Sequence, residues 1–514
     1  MTIVHLQTEL APANNQLAAY VHFRTDSPVT FTYTVAARAG SPGSPGSPGS
    51  IPFTYTLDQW TTGKDGIIKV PVMGLYARYA NEVRIIFTEQ NGNVAYDSTL
   101  IISTEAQTYR DETIFHLDIE QTDPALFTSV WGNSWLMTTF CDGYDRNGDL
   151  RCYYSAPYRN QMLRTHDGYF YIGSDEEEHW YARRFFKIDI LGNPVLEFTL
   201  RDENGNAYTN THDVVWDSAG NLYMIGSDFP DRSTNTMRQD AWILKFNDKT
   251  GEMLWRKNFT AEFNNTSILN NSGTNDVHFN SLSHIPAGNT FSEAIIVHTR
   301  SASLTFGISP DDGHILWSAD TGNYNPTFAQ SLSAPRLDTS AITDRDNGAH
   351  TVFVTQNPYF KDKTDISAGK FVLSLFNNRS CVGADGKAVV RPISTPATEA
   401  PSSALPVQVL FYAVDLAANT VTQTDAAVSL PQTRVPQITD FMGAVFDYGD
   451  YYTVFTNAAR SFFIIDPTGH VIATIYDVIS ALHGYPEFPG ECYRARLFSE
   501  DELQSLITAA FTLA

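Results

Sequence analysis

The sequence has few cysteines, few basic residues and no long apolar segment. Four cysteines in 514 residues are too few for a disulfide framework, and no C-x-x-C pair suggests a zinc site. Lysine and arginine total 34 against 57 acidic residues, which gives a formal net charge of −23. Nucleic acid or an anionic membrane surface would need a basic patch, so neither is an expected partner. No apolar run approaches the roughly 18 residues that a membrane span requires.

The composition is that of a folded protein. Apolar residues make up 42% of the chain and aromatic residues 13%, which is enough to fill a sizeable core. The 514 residues allow one large domain or two to three ordinary ones, at roughly 150 residues per domain. The N-terminus, MTIVHLQTELAPANN, lacks a basic region followed by an apolar one, so no signal peptide is visible.

Residues 1–105 have the pattern of short β-strands. Segments such as VTFTYTVAA and IPFTYTLDQW alternate apolar and polar residues and are separated by turn residues. The insert GSPGSPGSPGS at 40–50 lies between two of these strands. Proline at every third position blocks ladder hydrogen bonds, so we expect the insert to be a flexible hairpin loop.

A four-strand unit recurs from about residue 133 onward. Five copies are visible. Each has a glycine in its first hairpin, at Gly168, Gly220, Gly288, Gly369 and Gly449. Successive glycines are 52 to 81 residues apart. Four strands per unit at such a period are typical of a β-propeller. A sixth unit can be assembled from strands near 133–155 and the terminal strand YRARLF at 493–498, which would remove an exposed sheet edge. At the extreme C-terminus, SEDELQSLITAAF has helical spacing.

Four segments resemble the bacterial PAPS-independent aryl-sulfate sulfotransferase family. They are VPVMGLYARYANEVRIIF (70–87), HDVVWDSAGNLYM (212–224), HFNSLSHIPAGN with IIVHTR (278–300) and CYRARL (492–497). The resemblance implies an all-β chain with an N-terminal β-sandwich (1–105) and a six-bladed propeller (106–514). It also implies a phenolic sulfate ester and a phenol as substrates, no cofactor, and a periplasmic or extracellular location; a homo-oligomer is compatible with it.

In this family the reaction is ping-pong, and it explains which residue types the site needs. A histidine attacks the sulfur of a phenyl sulfate, the phenol departs, and a second phenol takes the sulfuryl group. A neutral imidazole is nucleophilic near neutral pH and leaves readily from an N–S bond. The sulfuryl oxygens need cationic or hydrogen-bonding donors, and the departing phenolate needs a proton donor.

The resemblance assigns roles to individual residues. His212 matches an active-site histidine, His278 and Asn280 match the second histidine and its asparagine partner, and Arg300 matches the sulfate-clamping arginine. Further matches near the pocket are Thr439, Tyr76 and Tyr493.

The position of the nucleophile departs from the family pattern. The family has a Q-H dipeptide ahead of a strand that ends in a phenylalanine, an acid and N-G. Here the corresponding pair is Gln356-Asn357, followed by Pro358. An amide nitrogen is not a usable nucleophile, so this alignment predicts absent or very weak turnover. Under a shifted alignment the nucleophile is His350, in GAHTVFV.

Several of these residues also have plain structural interpretations. A single histidine at a strand start is often a turn or core residue, and Arg300 could pair with an acid. The run DGYDRNGDL (142–150) has no carboxylate at its twelfth position, which favours a hairpin turn over a calcium loop. Cys141 and Cys152 flank that turn and are taken as free thiols, although the sequence leaves a bond between them open.

Two functions from different classes remain. The first is an enzyme that moves sulfuryl groups between phenols. The second is a non-catalytic relative that keeps the propeller, and with it a binding or structural role, but has lost the nucleophile. The feature that separates them is whether a histidine lies beside His212, His278 and Arg300 in the folded chain.

Overall fold

The structure is a computed structural model, and within the residues that it describes the chain is almost entirely β. These residues are 2–10, 14–38, 52–104, 116–139, 141–155, 158–159, 163–174, 182–227, 241–259, 262, 278–300, 303–322, 332–379, 406–424, 427–431, 433–434, 437, 442–457, 459–478 and 492–513. They form 35 strands, two α-helices and two short 3-10 helices, Pro358–Lys363 and Ile366–Ala368. The insert at 40–50 and the expected domain boundary at 105/106 lie outside them.

The chain divides into two compact units. Unit 1 comprises Met1–Ile172, Phe186–Val195 and Ile475–Ala514, and unit 2 comprises Gly173–Phe185 and Leu196–Thr474.

Unit 1 begins with two antiparallel sheets, which include the strands predicted from VTFTYTVAA and IPFTYTLDQW. One has the order β1-β2-β5, with β1 Ile3–Leu10, β2 Ala19–Thr25 and β5 Ile67–Val72. The other has the order β4-β3-β6-β7, with β3 Val29–Val35, β4 Phe53–Thr61, β6 Ala80–Glu89 and β7 Val94–Ser103. Residues of β3 are alternately buried and half-buried, as their apolar–polar alternation requires. The two sheets meet through aromatic pairs such as Phe23 and Phe87, whose ring centroids are 4.8 Å apart.

Unit 1 also contains a sheet that joins distant parts of the chain. Its order is β11-β10-β9-β35, with β9 Trp135–Thr138, β10 Gly143–Tyr144, β11 Leu150–Cys152 and β35 Ala495–Phe498. The terminal strand β35 runs antiparallel to β9, so the expected pairing of YRARLF with strands near 133–155 is present. The DGYDRNGDL segment forms the β10–β11 hairpin turn, in which Asp145 Oδ1 accepts from the amide of Asn147 at 2.9 Å. Cys141 and Cys152 are buried and are not joined by a disulfide bond.

Strand β8 and the two α-helices complete unit 1, with β8 Asp118–Gln121, α1 Pro124–Trp131 and α2 Glu500–Leu513. Asp123 caps α1 by accepting the amide of Leu126 at 3.0 Å. Helix α2 follows β35 and packs on the N-terminal sheets, where Phe511 lies 5.4 Å from Phe31 by ring centroids.

The other described residues form five more sheets of four to six strands each, in which antiparallel pairing predominates. The first has the order β12-β14-β15-β16 with β13 beside β14, and the next three are centred in unit 2. Their strands are β12 Tyr158–Arg159, β13 Thr165–His166, β14 Tyr169–Ser174, β15 Phe185–Ile188 and β16 Pro194–Phe198; β17 Thr209–Trp216, β18 Leu222–Ser227, β19 Trp242–Phe246 and β20 Met253–Asn258; and β21 Phe279–Ile285, β22 Ala294–Thr299, β23 Leu304–Ile308 and β24 Ile315–Asp320.

The next sheet has the order β25-β29-β28-β27-β26, with β30 beside β28, and after it β31 to β34 pair in sequence order. Their strands are β25 Asp338–Ala341, β26 Val352–Thr355, β27 Lys370–Asn377, β28 Gln408–Asp415, β29 Thr420–Gln423 and β30 Val428–Ser429; and β31 Ala444–Asp447, β32 Tyr452–Thr456, β33 Ser461–Ile465 and β34 Val471–Tyr476.

The sheets of unit 2 stack in series. Side chains join β17, β21, β26 and β31, which we call the first strands because each begins the antiparallel run of its sheet. Separate apolar cores fill the spaces between successive sheets. Between the first strands, Leu282 N–H donates to Asp213 Oδ2 at 3.0 Å, linking β17 to β21. Val352 N–H donates to Ser281 Oγ at 2.9 Å, linking β21 to β26. Val445 N–H donates to Thr351 Oγ1 at 3.1 Å, linking the residue before β26 to β31. In each of these three links, a side chain of one sheet accepts a buried backbone N–H of the next sheet.

Candidate functional site

His212 and His278 lie against each other on two neighbouring first strands, His212 within its strand and His278 just before its own. His212 is in β17 and His278 directly precedes β21. Their ring centroids are 4.6 Å apart, with the planes close to perpendicular. Both residues have left-handed backbones, with φ of 58° and 51°. This conformation costs a non-glycine residue about 1 kcal/mol or more, and such outliers cluster at functional sites.

Asp213 holds β17 in place beside the two histidines. The β17–β18 register slips between Thr211 and Val214, which takes His212 and Asp213 out of the regular ladder. The fully buried Asp213 carboxylate accepts the amide of Val214 at 3.1 Å and, with its other oxygen, the amide of Leu282 in β21. One side chain therefore sets the approach of the two strands that carry the histidines. Sequence reasoning missed Asp213, although it directly follows His212 in H-D-V.

Asn280 ties β21 to the segment that leads into β26. It lies in a second bulge, between Phe279 and Ser281, and its side chain is fully buried. Its Nδ2 donates to the backbone carbonyl of Ala349 at 2.6 Å. Asn280, which the resemblance matches to the partner of the second histidine, therefore donates to protein backbone here.

Arg300 is placed by the hairpin that begins with His278. It directly follows β22, and its backbone N–H donates to the carbonyl of His278 at 2.9 Å. Arg300 is half-buried, and its backbone is paired with that of the second histidine, His278.

His350 lies two residues before β26, the next first strand along the series. It follows Ala349, the residue that Asn280 holds, and only 2% of it is exposed. Its backbone N–H donates to Phe376 O at 3.1 Å, and its Nδ1 lies 2.6 Å from Asn378 Oδ1. Asn378 Nδ2 in turn donates to Met442 O at 2.8 Å, next to β31. His212, His278 and His350 thus form a series along three neighbouring strands, which we call the histidine row.

Asn357 does not lie in the histidine row. It follows β26, whereas His350 precedes that strand, so the two flank it at opposite ends, roughly 20 Å apart at the rise of an extended chain. Asn357 caps the 3-10 helix Pro358–Lys363 by accepting the amide of Tyr359 at 3.0 Å. Its Nδ2 donates to Asp447 Oδ1 at 3.3 Å, and Asp447 also accepts from Gln356 N–H.

The direction of β26 and β27 explains why His350, and not Asn357, lies in the histidine row. β26 and β27 are antiparallel, with Val352 opposite Leu375 and Thr355 opposite Val372. The end of β27, F-N-N, therefore returns to the start of β26, where His350 is. Distance along the sequence gives no sign of this, because the segment 356–369 that separates the two strands turns the chain back.

The remaining resemblance-based residues are placed as follows. Thr439 lies outside the described residues. Tyr76 and Tyr493 belong to unit 1, and each is 2% exposed. The Tyr76 hydroxyl accepts from Arg151 Nη1 at 3.0 Å, and burial raises its pKa. The guanidinium of Arg494 lies 5.2 Å from the centroid of the Tyr493 ring.

A fourth histidine stands close to the row in sequence. His298 is two residues before Arg300, fully buried, with Nδ1 3.0 Å from Thr305 Oγ1. Burial lowers the pKa of His298, against an opposing influence of Asp346, so its ring is neutral at physiological pH. In the described part of the chain no group of three His, Cys, Asp or Glu side chains is arranged to hold a metal ion. Neither α-helix among the described residues has the length and apolar character of a membrane-spanning helix.

Comparisons with known proteins match both parts of the chain to related family models. The model described as arylsulfotransferase (ASST) matches residues 95–428, and the model described as the arylsulfotransferase Ig-like domain matches residues 9–105. None of the curated proteins matches the chain.

Similarities to solved structures are remote. Kuenenia stuttgartiensis hydrazine synthase is 10% identical over 75% of this chain and 73% of its own, with a TM-score of 0.30. Synechocystis apocarotenoid oxygenase is 8% identical over 96% and 95%, with a TM-score of 0.30. AztD from Citrobacter koseri is 9% identical over 92% and 99%, with a TM-score of 0.28. Scores this low support no conclusion on fold or function.

Proposed function

Since the chain belongs to the arylsulfotransferase (ASST) family, we propose that it transfers the sulfuryl group of a phenolic sulfate ester to a phenol. The propeller architecture is part of the same proposal: six blades, closed by β35, after an N-terminal Ig-like sandwich. The repeated four-stranded sheets, their stacking in series in unit 2 and the pairing of β35 with β9 support it.

We assign the role of nucleophile to His350 instead of Asn357. The observation that carries this assignment is the place of His350 in the histidine row, beside Ala349, which Asn280 holds, and beside Asn378. Asn357 is committed to a helix cap and to Asp447 at the other end of β26. An imidazole supplies a lone pair for attack on sulfur, whereas an amide nitrogen does not.

The proposed reaction has two balanced steps. In the first, an imidazole nitrogen of His350 forms a bond to sulfur while the ester bond between sulfur and the phenolic oxygen breaks. The departing phenolate takes a proton, for which His212 and His278 are the candidate donors. In the second, the oxygen of an acceptor phenol attacks sulfur, the N–S bond breaks, and the phenolic proton passes to the base so formed.

Other residues have supporting roles in this proposal. Arg300 neutralises charge on the sulfuryl oxygens, and Thr439 adds a hydroxyl donor. Asn280 holds the backbone before His350 through its bond to Ala349 O.

A matched pair of alanine variants tests the assignment. After incubation with 4-nitrophenyl sulfate, mass spectrometry of the wild-type protein should show a sulfuryl adduct, mapped to the peptide that contains His350. His350→Ala should lose the adduct and about a thousand-fold or more of the turnover, because a covalent nucleophile is removed. Asn357→Ala, with a comparable truncation at the other end of β26, should keep both.

Other results of these experiments would contradict the assignment of His350 or the enzymatic function. Turnover that survives His350→Ala contradicts the assignment, and single alanine variants of His212 and His278 then locate the nucleophile. A protein without adduct or turnover that still binds the aryl sulfate would be the non-catalytic relative. In that case, a gain of turnover in Asn357→His would return the nucleophile position to Asn357.

A further inference from the structure

Asn378 is buried between His350 and the backbone of the next sheet. It directly follows β27 and is 1% exposed. Its two amide atoms have different partners: Nδ2 lies 2.8 Å from the carbonyl oxygen of Met442, and Oδ1 lies 2.6 Å from His350 Nδ1.

The first contact determines which way the amide faces. A backbone carbonyl oxygen only accepts hydrogen bonds, so the NH₂ group of Asn378 must face Met442. The reversed amide would bring two oxygens to 2.8 Å and lose the bond altogether. The amide oxygen therefore faces the imidazole.

The second contact then determines the tautomer of His350. The amide oxygen of Asn378 can only accept, so Nδ1 of the imidazole must carry the hydrogen. In a neutral ring the lone pair then resides on Nε2. A hydrogen bond at one ring nitrogen thereby leaves the lone pair on the other nitrogen, which is the one available for chemistry. Histidines that bind metals are oriented in the same way.

The neighbouring residue holds the chain around this contact. Asn377 Oδ1 accepts the amide of Asn347 at 2.8 Å, and its Nδ2 donates to Arg345 O at 3.4 Å. These bonds fix the loop that leads into His350. The two asparagines at the end of β27 therefore secure the loop and the imidazole separately.

We propose that Asn378 is a positioning residue that holds His350 as the Nδ1–H tautomer and so makes Nε2 the nucleophilic nitrogen. The tautomer follows from the hydrogen bonds alone, whereas its role in catalysis rests on the proposed function.

The direct test is spectroscopic and needs no turnover. Long-range ¹H–¹⁵N NMR of protein labelled at histidine should show His350 as the Nδ1–H tautomer, its signals identified by their loss in His350→Gln. Finding the Nε2–H tautomer in the wild-type protein would overturn the proposal, whatever the variants do.

A variant pair tests the role of the acceptor. Asn378→Leu is similar in volume but cannot accept, so His350 should populate the Nε2–H tautomer, and kcat should fall about 10–100-fold with a smaller change in KM. Asn378→Asp keeps an acceptor oxygen and should restore the Nδ1–H signal and part of kcat. Asn357→Leu, the same change at a buried asparagine beyond the other end of β26, should leave the tautomer unchanged.

Different results contradict the proposed role of Asn378 and the assignment of His350 as the nucleophile. If Asn378→Leu leaves the tautomer of His350 unchanged, Asn378 does not set it. If the tautomer shifts but His350→Ala retains turnover, the positioning contact is real and the nucleophile assignment is wrong. Should Asn378→Leu not fold, the wild-type spectrum still decides the tautomer.

Discussion

Left-handed backbone at two histidines is the clearest residue-scale feature of the site. His212 and His278 adopt positive φ beside bulges. In those bulges, Asp213 bonds to the following strand and Asn280 bonds to the segment that leads into the next one. A side chain that satisfies the backbone of a neighbouring sheet compensates for the ladder bonds that the bulge removes. The positive φ at each histidine therefore occurs together with a side-chain hydrogen bond that connects the adjoining strand to the next sheet or to the segment that leads into it.

A residue-scale prediction concerns Asp320, at the end of β24. Burial raises the pKa of its carboxyl to about 6, although Arg336 Nη2 lies 3.9 Å away. The folded state thus keeps a proton that the unfolded state has released, and the free energy of unfolding falls as pH rises through about 6. Between pH 5 and pH 8 this loss amounts to about 1 kcal/mol.

Asp320→Asn cannot ionise and should remove that loss. Its Tm relative to wild type should be higher at pH 8 than at pH 5 by about 2 °C, measured by scanning calorimetry. Asp311→Asn, at an exposed carboxylate in a nearby turn, is the control and should change Tm equally at both pH values. An equal change for Asp320→Asn would show that its carboxyl does not titrate in this range.

At the scale of elements, a repeated hairpin turn builds the sheets. Asp217 Oδ1 accepts the amides of Ala219 at 3.0 Å and Asn221 at 2.8 Å, while Gly220 takes φ of 78°. The aspartate mimics a backbone turn and the glycine supplies the left-handed residue at low cost. The same D-x-x-G pattern recurs at Asp145, Asp189, Asp202 and Asp466.

Asp217→Ala should therefore weaken its sheet. The variant loses both turn bonds and leaves Lys245 Nζ, 3.2 Å from Asp217 Oδ2, without that partner. We expect a loss of about 2 kcal/mol, since a buried, charge-assisted network is broken. Urea unfolding and hydrogen exchange at β17 and β18 would measure it. Asp311→Ala is the control, and an equal loss there would contradict a specific role for the turn.

At the scale of the whole molecule, residues more than 350 positions apart pair in one sheet. β35 covers the edge of β9, which would otherwise present unpaired backbone groups. Helix α2 then carries the chain back to the N-terminal sheets, where Thr508 Oγ1 lies 2.9 Å from the Tyr55 hydroxyl. The last 20 residues therefore complete two parts of unit 1.

Two truncations separate these contributions. A chain that ends after Ser499 keeps β35 and loses α2, so we expect a folded protein with lower Tm. A chain that ends after Cys492 also exposes the β9 edge, so we expect aggregation or loss of cooperative unfolding. Scanning calorimetry and size-exclusion chromatography would distinguish them. Equal behaviour of both truncations would show that β35 is dispensable.

Much of the fold could be predicted from local patterns. Alternation in segments such as VTFTYTV predicts strands, and the glycines at 168, 220, 288, 369 and 449 each lie between two consecutive strands of one sheet, as the repeat requires. These predictions succeed because strand alternation and turn chemistry act over a few residues. The pairing of His212 with His278 also followed from motif order.

The all-β class, the repeated sheets, most of the N-terminal strands and the family follow from local patterns and motifs. Which residue completes the histidine row depends on contacts between distant parts of the chain. Gln356-Asn357 fits the motif in linear order, but antiparallel pairing brings Asn378 back to His350 and leaves Asn357 at the far end of β26. Register, direction and the bulges at His212 and Asn280 depend on contacts between residues far apart in the chain, and for this reason local patterns do not contain them.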